Sequence, residues 1–323
     1  MNTAAPGVPI LDLEPAASDF LAESIAGLSV TPRTLPSKFF YDERGAELFQ
    51  QITELPEYYV TRIETDILRQ SAPEMAASIG ANAELVGFGT GAGNKTRLLL
   101  AELENPIAYV PVDISKRGLI ESANQLQAVM PALEILPVCA DYMQPIRLPQ
   151  PTRTPDHVAV YFPGSTIGNL VPSLAHSFLS RVAALCGRSG GLIIGVDLQK
   201  SREILRAAYN DRQGVTAEFN RNLLVRANRE LGADFVLDCW QHRAVYNEQE
   251  HRIEMHLVSL VDQTVHLGGH HFHFTSGEKI ISEFSYKHTV DGFTQLAASA
   301  GFRRSNVWTD AKQWFAVFHF VVP

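Results

Sequence analysis

A chain of 323 residues with 46% hydrophobic side chains has room for one large or two ordinary domains around a sizeable core. Its formal charge of −8 argues against a dominant nucleic-acid footprint, because duplex binding needs a clustered basic surface. No stretch has the length of a membrane span or the pattern of a signal peptide, and three scattered cysteines, Cys139, Cys186 and Cys239, read as reduced thiols of a cytoplasmic protein.

Residues 1 to about 35 are rich in Pro and Ala; only Asp19 to Leu28 reads as helix, and the segment is expected to wrap the outside of the fold. The stretch from Leu35 to Leu68 follows, dense in aromatic and charged residues. It reads as a loop carrying Tyr41, a helix with Leu48, Phe49 and Ile52 that ends near Pro56, and a second helix from Thr61 to Gln70 with Tyr58 and Tyr59 at its head. Two of these tyrosines are candidates to face a ligand; packing with wet tips is the plainer alternative for any one of them.

The stretch Glu84 to Leu100, ELVGFGTGAGNKTRLLL, changes character twice. An apolar run breaks into Gly89, Gly91 and Gly93, and a helical pattern begins at once, giving a strand, a glycine turn and a helix. Such a turn lets the backbone approach a ligand, and free N–H groups at the helix start attract an anionic group. The spacing fits a dinucleotide poorly, since it is G-x-G-x-G rather than G-x-G-x-x-G. Asn94 stands where a triphosphate loop needs glycine before Lys95. S-adenosylmethionine fits best, with glycines along its amino-acid part and acidic side chains further on.

Apolar runs at 108–114, 133–140, 157–164 and 191–198 then alternate with helical segments, the clearest at 171–186. This pattern indicates an α/β fold with a parallel sheet covered on both faces, and ligands of such sheets sit at the carboxyl ends of the strands. Asp113 lies at one such end, about 20 residues past the glycine loop, where an acidic group grips ribose; a helix-capping role is the alternative. Asp141, followed by Tyr142, ends the next strand and is suited to accept from an adenine amino group.

Residues 199–285 break the alternation and read as an insert: helices near 202–211 and 215–231, then β-like runs FVLDCW, HRAVYN, RIEMHLVSLV, TVHLGG and HHFHF. His271 and His273 share one face of an extended run, yet no Cys or carboxylate cluster accompanies them, and no metal is expected. In SEFS, Glu283 and Ser285 share a strand face and are able to hold a pair of ring nitrogens, an exposed strand face being the commoner explanation. The sheet resumes with a helix at 292–300 and strands at 303–309 and 314–322, the last of them antiparallel at the sheet edge.

Several motifs together resemble the histidine-specific Nα-methyltransferases of ergothioneine biosynthesis: PSKFFYDERGAELFQQITELPEYYVTRIE, KTRLLL, FPGSTIGNL, GVDLQKS, AAYND, GVTAEFNRNLL, IEMHLV and SEFS, in that order. The resemblance runs from about Pro36 to the C-terminus. It implies a class I methyltransferase, Rossmann-like seven-stranded sheet with an inserted α+β substrate-binding domain. The expected division is 1–62 contributing to the substrate domain, 63–198 and 286–323 holding S-adenosylmethionine, and 199–285 as the insert.

The implied reaction is trimethylation of the L-histidine α-amine to hercynine by a monomer. Tryptophan or another amino-acid-derived amine is the alternative substrate, and a non-catalytic cofactor-binding protein a remoter one. By resemblance, Asn169 and Tyr209 hold the substrate carboxylate, Tyr59 with Tyr41 nearby faces the amine, Glu283 and Ser285 take the imidazole, and Met255 lines its pocket. Gly89, Lys95, Asp113, Asp141 and Tyr142 match cofactor positions. Relatives tend to read ELGSG where this chain has Gly87-Phe88-Gly89-Thr90-Gly91, so an acidic side chain is missing before the loop.

Overall fold

Strands that are apolar on both faces must be covered on both faces, and the computed structural model, which describes residues 8–13, 19–89 and 93–323, does this with one large sheet between two helical layers. Its main strands run in the order Val138–Cys139, Ala108–Asp113, Ala83–Phe88, His157–Phe162, Gly191–Asp197, Phe315–Val321 and Arg303–Thr309. The first five are mutually parallel. Phe315–Val321 is antiparallel to both neighbours. This is the class I methyltransferase sheet. Alternate residues of Ala83–Phe88 feed different cores: Leu85 joins one apolar cluster, Val86 and Phe88 the other.

Three expectations are corrected. The final strand is antiparallel but not at the edge: Phe315–Val321 is almost wholly buried between two partners, and the polar Arg303–Thr309 takes the edge. An edge strand has one face of its ladder in water, which RRSNVWT tolerates and FAVFHFV does not. The N-terminal segment also does more than wrap the outside. Leu11–Asp12 pairs in parallel with Val138–Cys139, and Arg33–Thr34 pairs in parallel with Lys279–Tyr286. Finally, most of FVLDCW is not strand: Leu237–Cys239 form a 3-10 turn, and extended structure starts at Trp240.

A second, four-stranded sheet has the order Arg33–Thr34, Lys279–Tyr286, Arg252–Ser259, Trp240–Asn247. Helix Val215–Leu231 packs against its last two strands and also against helix Glu43–Glu54. The histidine-rich run forms a small hairpin, Gln263–Leu267 with His270–Phe274. Helix Tyr59–Ile79 is longer than its sequence pattern suggested, tolerates Pro73, and spans from the second sheet's neighbourhood to strand Phe315–Val321. The expected domain border at 62/63 falls inside this helix, and that at 285/286 inside strand Lys279–Tyr286. No helix among the described residues is long and apolar enough to cross a membrane.

Candidate active site

Between the two sheets lies a solvent-connected cavity holding about 620 Å³ of empty space, counting its mouth, within the range of small-molecule sites. Tyr41 reaches it because the chain turns sharply there: Ser37–Phe40 is a 3-10 turn, and Asp42 caps helix Glu43–Glu54 by accepting the Gly45 N–H at 2.8 Å. The Tyr41 ring packs edge-on against Phe49 and Phe219, with centroids at 5.5 and 5.8 Å. Tyr58 packs edge-on against Phe49 at 6.4 Å and Tyr209 at 6.3 Å. All five rings line the cavity. Burial pushes the Tyr41, Tyr58 and Tyr209 hydroxyls well above the usual phenol range, so they remain protonated donors at neutral pH.

Strand Lys279–Tyr286 also lines the cavity, and there Met255 of the neighbouring strand stands directly across from Glu283. Glu283, Ser285 and Met255 line the cavity together with Asn169, which follows the FPGST turn. Among the described residues the Glu283 carboxylate has no hydrogen-bond or ion-pair partner. Burial pushes it up to about 7, partly offset by Lys287. A half-buried carboxylate facing a cavity without a partner is suited to a ligand that brings a donor.

Tyr59 does not face this cavity, which corrects the expectation that it meets the substrate amine. Its ring packs edge-on against Trp314, centroids 5.4 Å apart. Its hydroxyl donates to the two oxygens of the fully buried Asp197 at 2.9 and 2.8 Å. Tyr58, one residue earlier, occupies the cavity wall. Asp197 also binds Lys200 Nζ at 2.6 Å and Lys287 Nζ at 2.7 Å. Burial alone would raise the Asp197 pKa; the two ammonium groups outweigh it and hold the carboxyl below its usual value.

On the sheet's other side of the turn, Gly89 has φ +55° and its α-carbon faces the Tyr142 ring, the nearest atom lying 3.5 Å from where a Cβ would stand. Tyr142 stacks on Phe88, centroids 5.6 Å apart and planes 17° apart. Asp113 ends its strand as expected, whereas Asp141 lies two residues past the short strand Val138–Cys139; each accepts the backbone N–H two residues on, Ser115 at 2.9 Å and Met143 at 2.8 Å. Asp113 therefore makes no side-chain cap for helix Lys116–Val129. Lys95 pairs with Glu64, a fully buried carboxylate that also accepts the Gly164 N–H at 2.9 and 3.0 Å. Glu64 has room only because residue 195 is glycine: a Cβ there would sit 2.1 Å from its Oε1. Thr90, Gly91 and Ala92 of the predicted loop lie outside the described residues.

A family model described as histidine-specific, SAM-dependent methyltransferase matches residues 20–322. A histidine N-alpha-methyltransferase of Mycolicibacterium smegmatis is 40% identical over 305 residues, covering 91% of this chain and 94% of its own. One of Mycobacterium tuberculosis is 40% identical over 291 residues, covering 88% and 89%. The chain belongs to the histidine-specific methyltransferase family. An N-methyltransferase of Aspergillus flavus, dtpB, is also similar, 27% identical over 325 residues and covering 96% of this chain and 91% of its own.

As a member of this SAM-dependent family the protein is an S-adenosylmethionine-dependent methyltransferase. Its residues fit that cofactor. Gly89 leaves open backbone beside an aromatic ring, and two carboxylates stand close to the ends of neighbouring strands, a donor set that suits a ligand bearing hydroxyls and an exocyclic amine. Sequence reasoning named Tyr58 as a ligand-facing candidate without choosing it over Tyr59, and it missed Phe49, Phe219, Glu64, Asp197 and Lys287 as site residues. Glu64 carried a signal, because it interrupts the apolar stripe of Val60, Ile67 and Leu68 on one helix face.

Proposed function

We propose that this methyltransferase transfers three methyl groups to the α-amine of L-histidine, giving hercynine, the betaine of ergothioneine biosynthesis. The observation that carries the reading is the partnerless Glu283 carboxylate, on the same strand face as the Ser285 hydroxyl, in a cavity that five aromatic rings also line. Such a wall suits imidazole: the carboxylate takes one ring N–H as a charge-assisted bond, and the hydroxyl meets the other nitrogen. Asn169 is the donor available for the substrate carboxylate, since the Tyr209 hydroxyl, expected to share that role, donates its proton to Ser285 at 2.8 Å.

The cofactor supplies an electrophilic methyl group on a sulfonium. The protein must present a neutral amine lone pair in line with it and exclude water. An α-ammonium with a reference pKa near 8 is mostly charged at neutral pH and must lose a proton before each of its early methylations. Tyr58 and Tyr41, in place of Tyr59, orient the amine in this reading. The rings of Tyr41, Phe49, Tyr58 and Phe219 also suit the end of the reaction, since a trimethylammonium donates no hydrogen bond but is attracted to aromatic faces. Gly89, Lys95, Asp113, Asp141 and Tyr142 hold the cofactor. The enzyme acts as a monomer in this reading.

The test is mass spectrometry of L-histidine and L-tryptophan, each incubated with purified protein and S-adenosylmethionine. Trimethylated histidine, with tryptophan unchanged or far slower, is the expected result. Methylation of tryptophan alone overturns the substrate assignment.

A further inference from the structure

Glu283, Ser285 and Lys287 lie at alternate positions and so share one face of their strand and its extension. Lys287 is 2% exposed, and its ammonium has three protons and three acceptors: Asp197 Oδ2 at 2.7 Å, Ser285 Oγ at 2.6 Å and the Tyr209 hydroxyl at 3.2 Å. Tyr209 and Ser285 are themselves 2.8 Å apart. The Ser285 oxygen thus receives bonds from both Lys287 and Tyr209, which uses both of its lone pairs. Between them the two hydroxyls own two protons. Tyr209 donates its proton to the Ser285 oxygen, and the Ser285 proton is left for the cavity.

We infer that Lys287 is a positioning residue that fixes the hydrogen-bond polarity of Ser285, making it a donor to the ligand and unable to accept from it. The inference rests on the histidine reading above and adds a reason for selectivity. An ionised Glu283 only accepts, and a Ser285 held by Lys287 only donates. Together they demand a ring with one N–H and one bare nitrogen, the neutral imidazole. Indole has an N–H but no bare nitrogen, so it leaves the Ser285 proton unpaired. Asp197 balances the buried ammonium, and Lys200 and Tyr59 hold Asp197 in turn.

The experiment compares, by calorimetry on protein saturated with S-adenosylhomocysteine, the affinities for L-histidine and for thienylalanine, whose five-membered ring has no nitrogen. Lys287→Met and Ser285→Ala are each expected to lower the histidine preference about tenfold, the factor one hydrogen bond supplies. The double variant is expected to lose no more than either alone, because the two act as one device. Equal weakening of both ligands in Lys287→Met, or losses that multiply in the double variant, would overturn the inference and leave Lys287 a packing residue. If Lys287→Met does not fold, Lys287→Met/Asp197→Asn removes both partners of the central ion pair and must show the same fall in preference. A wild-type protein with no preference for histidine would instead remove the functional reading on which this rests.

Discussion

The Tyr59 hydroxyl sits 2.8 and 2.9 Å from the two oxygens of Asp197, while Tyr58 next to it lines the ligand cavity. Adjacent tyrosines therefore differ in kind of effect. Tyr59→Phe removes the bond to buried Asp197 and the one that Lys200 Nζ donates to the same hydroxyl at 2.9 Å, and is expected to lower stability by about 2 kcal/mol. Tyr58→Phe is expected to reduce turnover more than stability. Melting curves and initial rates on both variants check this, and the reverse pattern would restore Tyr59 to the amine.

Glu283→Ala should leave S-adenosylmethionine binding intact and weaken histidine use by about 2 kcal/mol, the scale of a hydrogen bond to a charged group. The kcat/KM ratio for histidine between variant and wild type is the measurement; unchanged kinetics would sink the assignment.

The same residue predicts a pH dependence. Burial, the larger influence, raises the Glu283 pKa from 4.5 to about 7. Because the folded value exceeds the unfolded one, the native state binds the extra proton between about 4.5 and 7, and ligand-free stability from this group falls as pH rises through that window. Histidine binding needs the carboxylate and runs the other way, rising toward and above 7. Glu283→Gln is expected to flatten both profiles, measured by melting and by calorimetry across the window.

Gly195→Ala would place a Cβ 2.1 Å from Glu64 Oε1, so the carboxylate must leave its seat against Gly164 and Lys95. Overpacking of this kind costs about 2 kcal/mol. Weaker cofactor binding should accompany the lower melting temperature, since Lys95 loses its anchor; calorimetry with S-adenosylhomocysteine tests the second effect separately.

Asp113→Ala is expected to weaken cofactor affinity without changing the fold, its carboxylate lying half-buried at a strand end. Equal affinities by calorimetry would remove Asp113 from the ribose role.

Much of the sheet was legible because parallel strands advertise themselves: LIIGVD and VAVYF are apolar on both faces, and only a covered sheet uses such runs. The placing of the last strand was legible too, had the contrast between FAVFHFV and RRSNVWT been weighed against the needs of an edge. Tyr58 and Tyr59 were not separable, because identical neighbours at a helix start differ only in the direction the first turn gives them. Asp197 and Lys287 carry no local signal at all. Asp197 merely ends an apolar run and Lys287 sits in the polar stretch SYKHT, and their pairing becomes sensible only when folding brings them 2.7 Å apart.

The second sheet joins distant stretches of sequence: Arg33–Thr34 lies beside Lys279–Tyr286, and the Arg33 guanidinium donates to the His273 carbonyl 240 residues on. The cavity is likewise walled by Tyr41 and Tyr58 from the beginning and Glu283 and Ser285 from near the end. A chain emerging from the ribosome can therefore lay down the glycine turn and its first four parallel strands long before the substrate pocket exists. Competence to choose an amine arrives only with the closing segments, and loop closure across most of the polypeptide sets its timing.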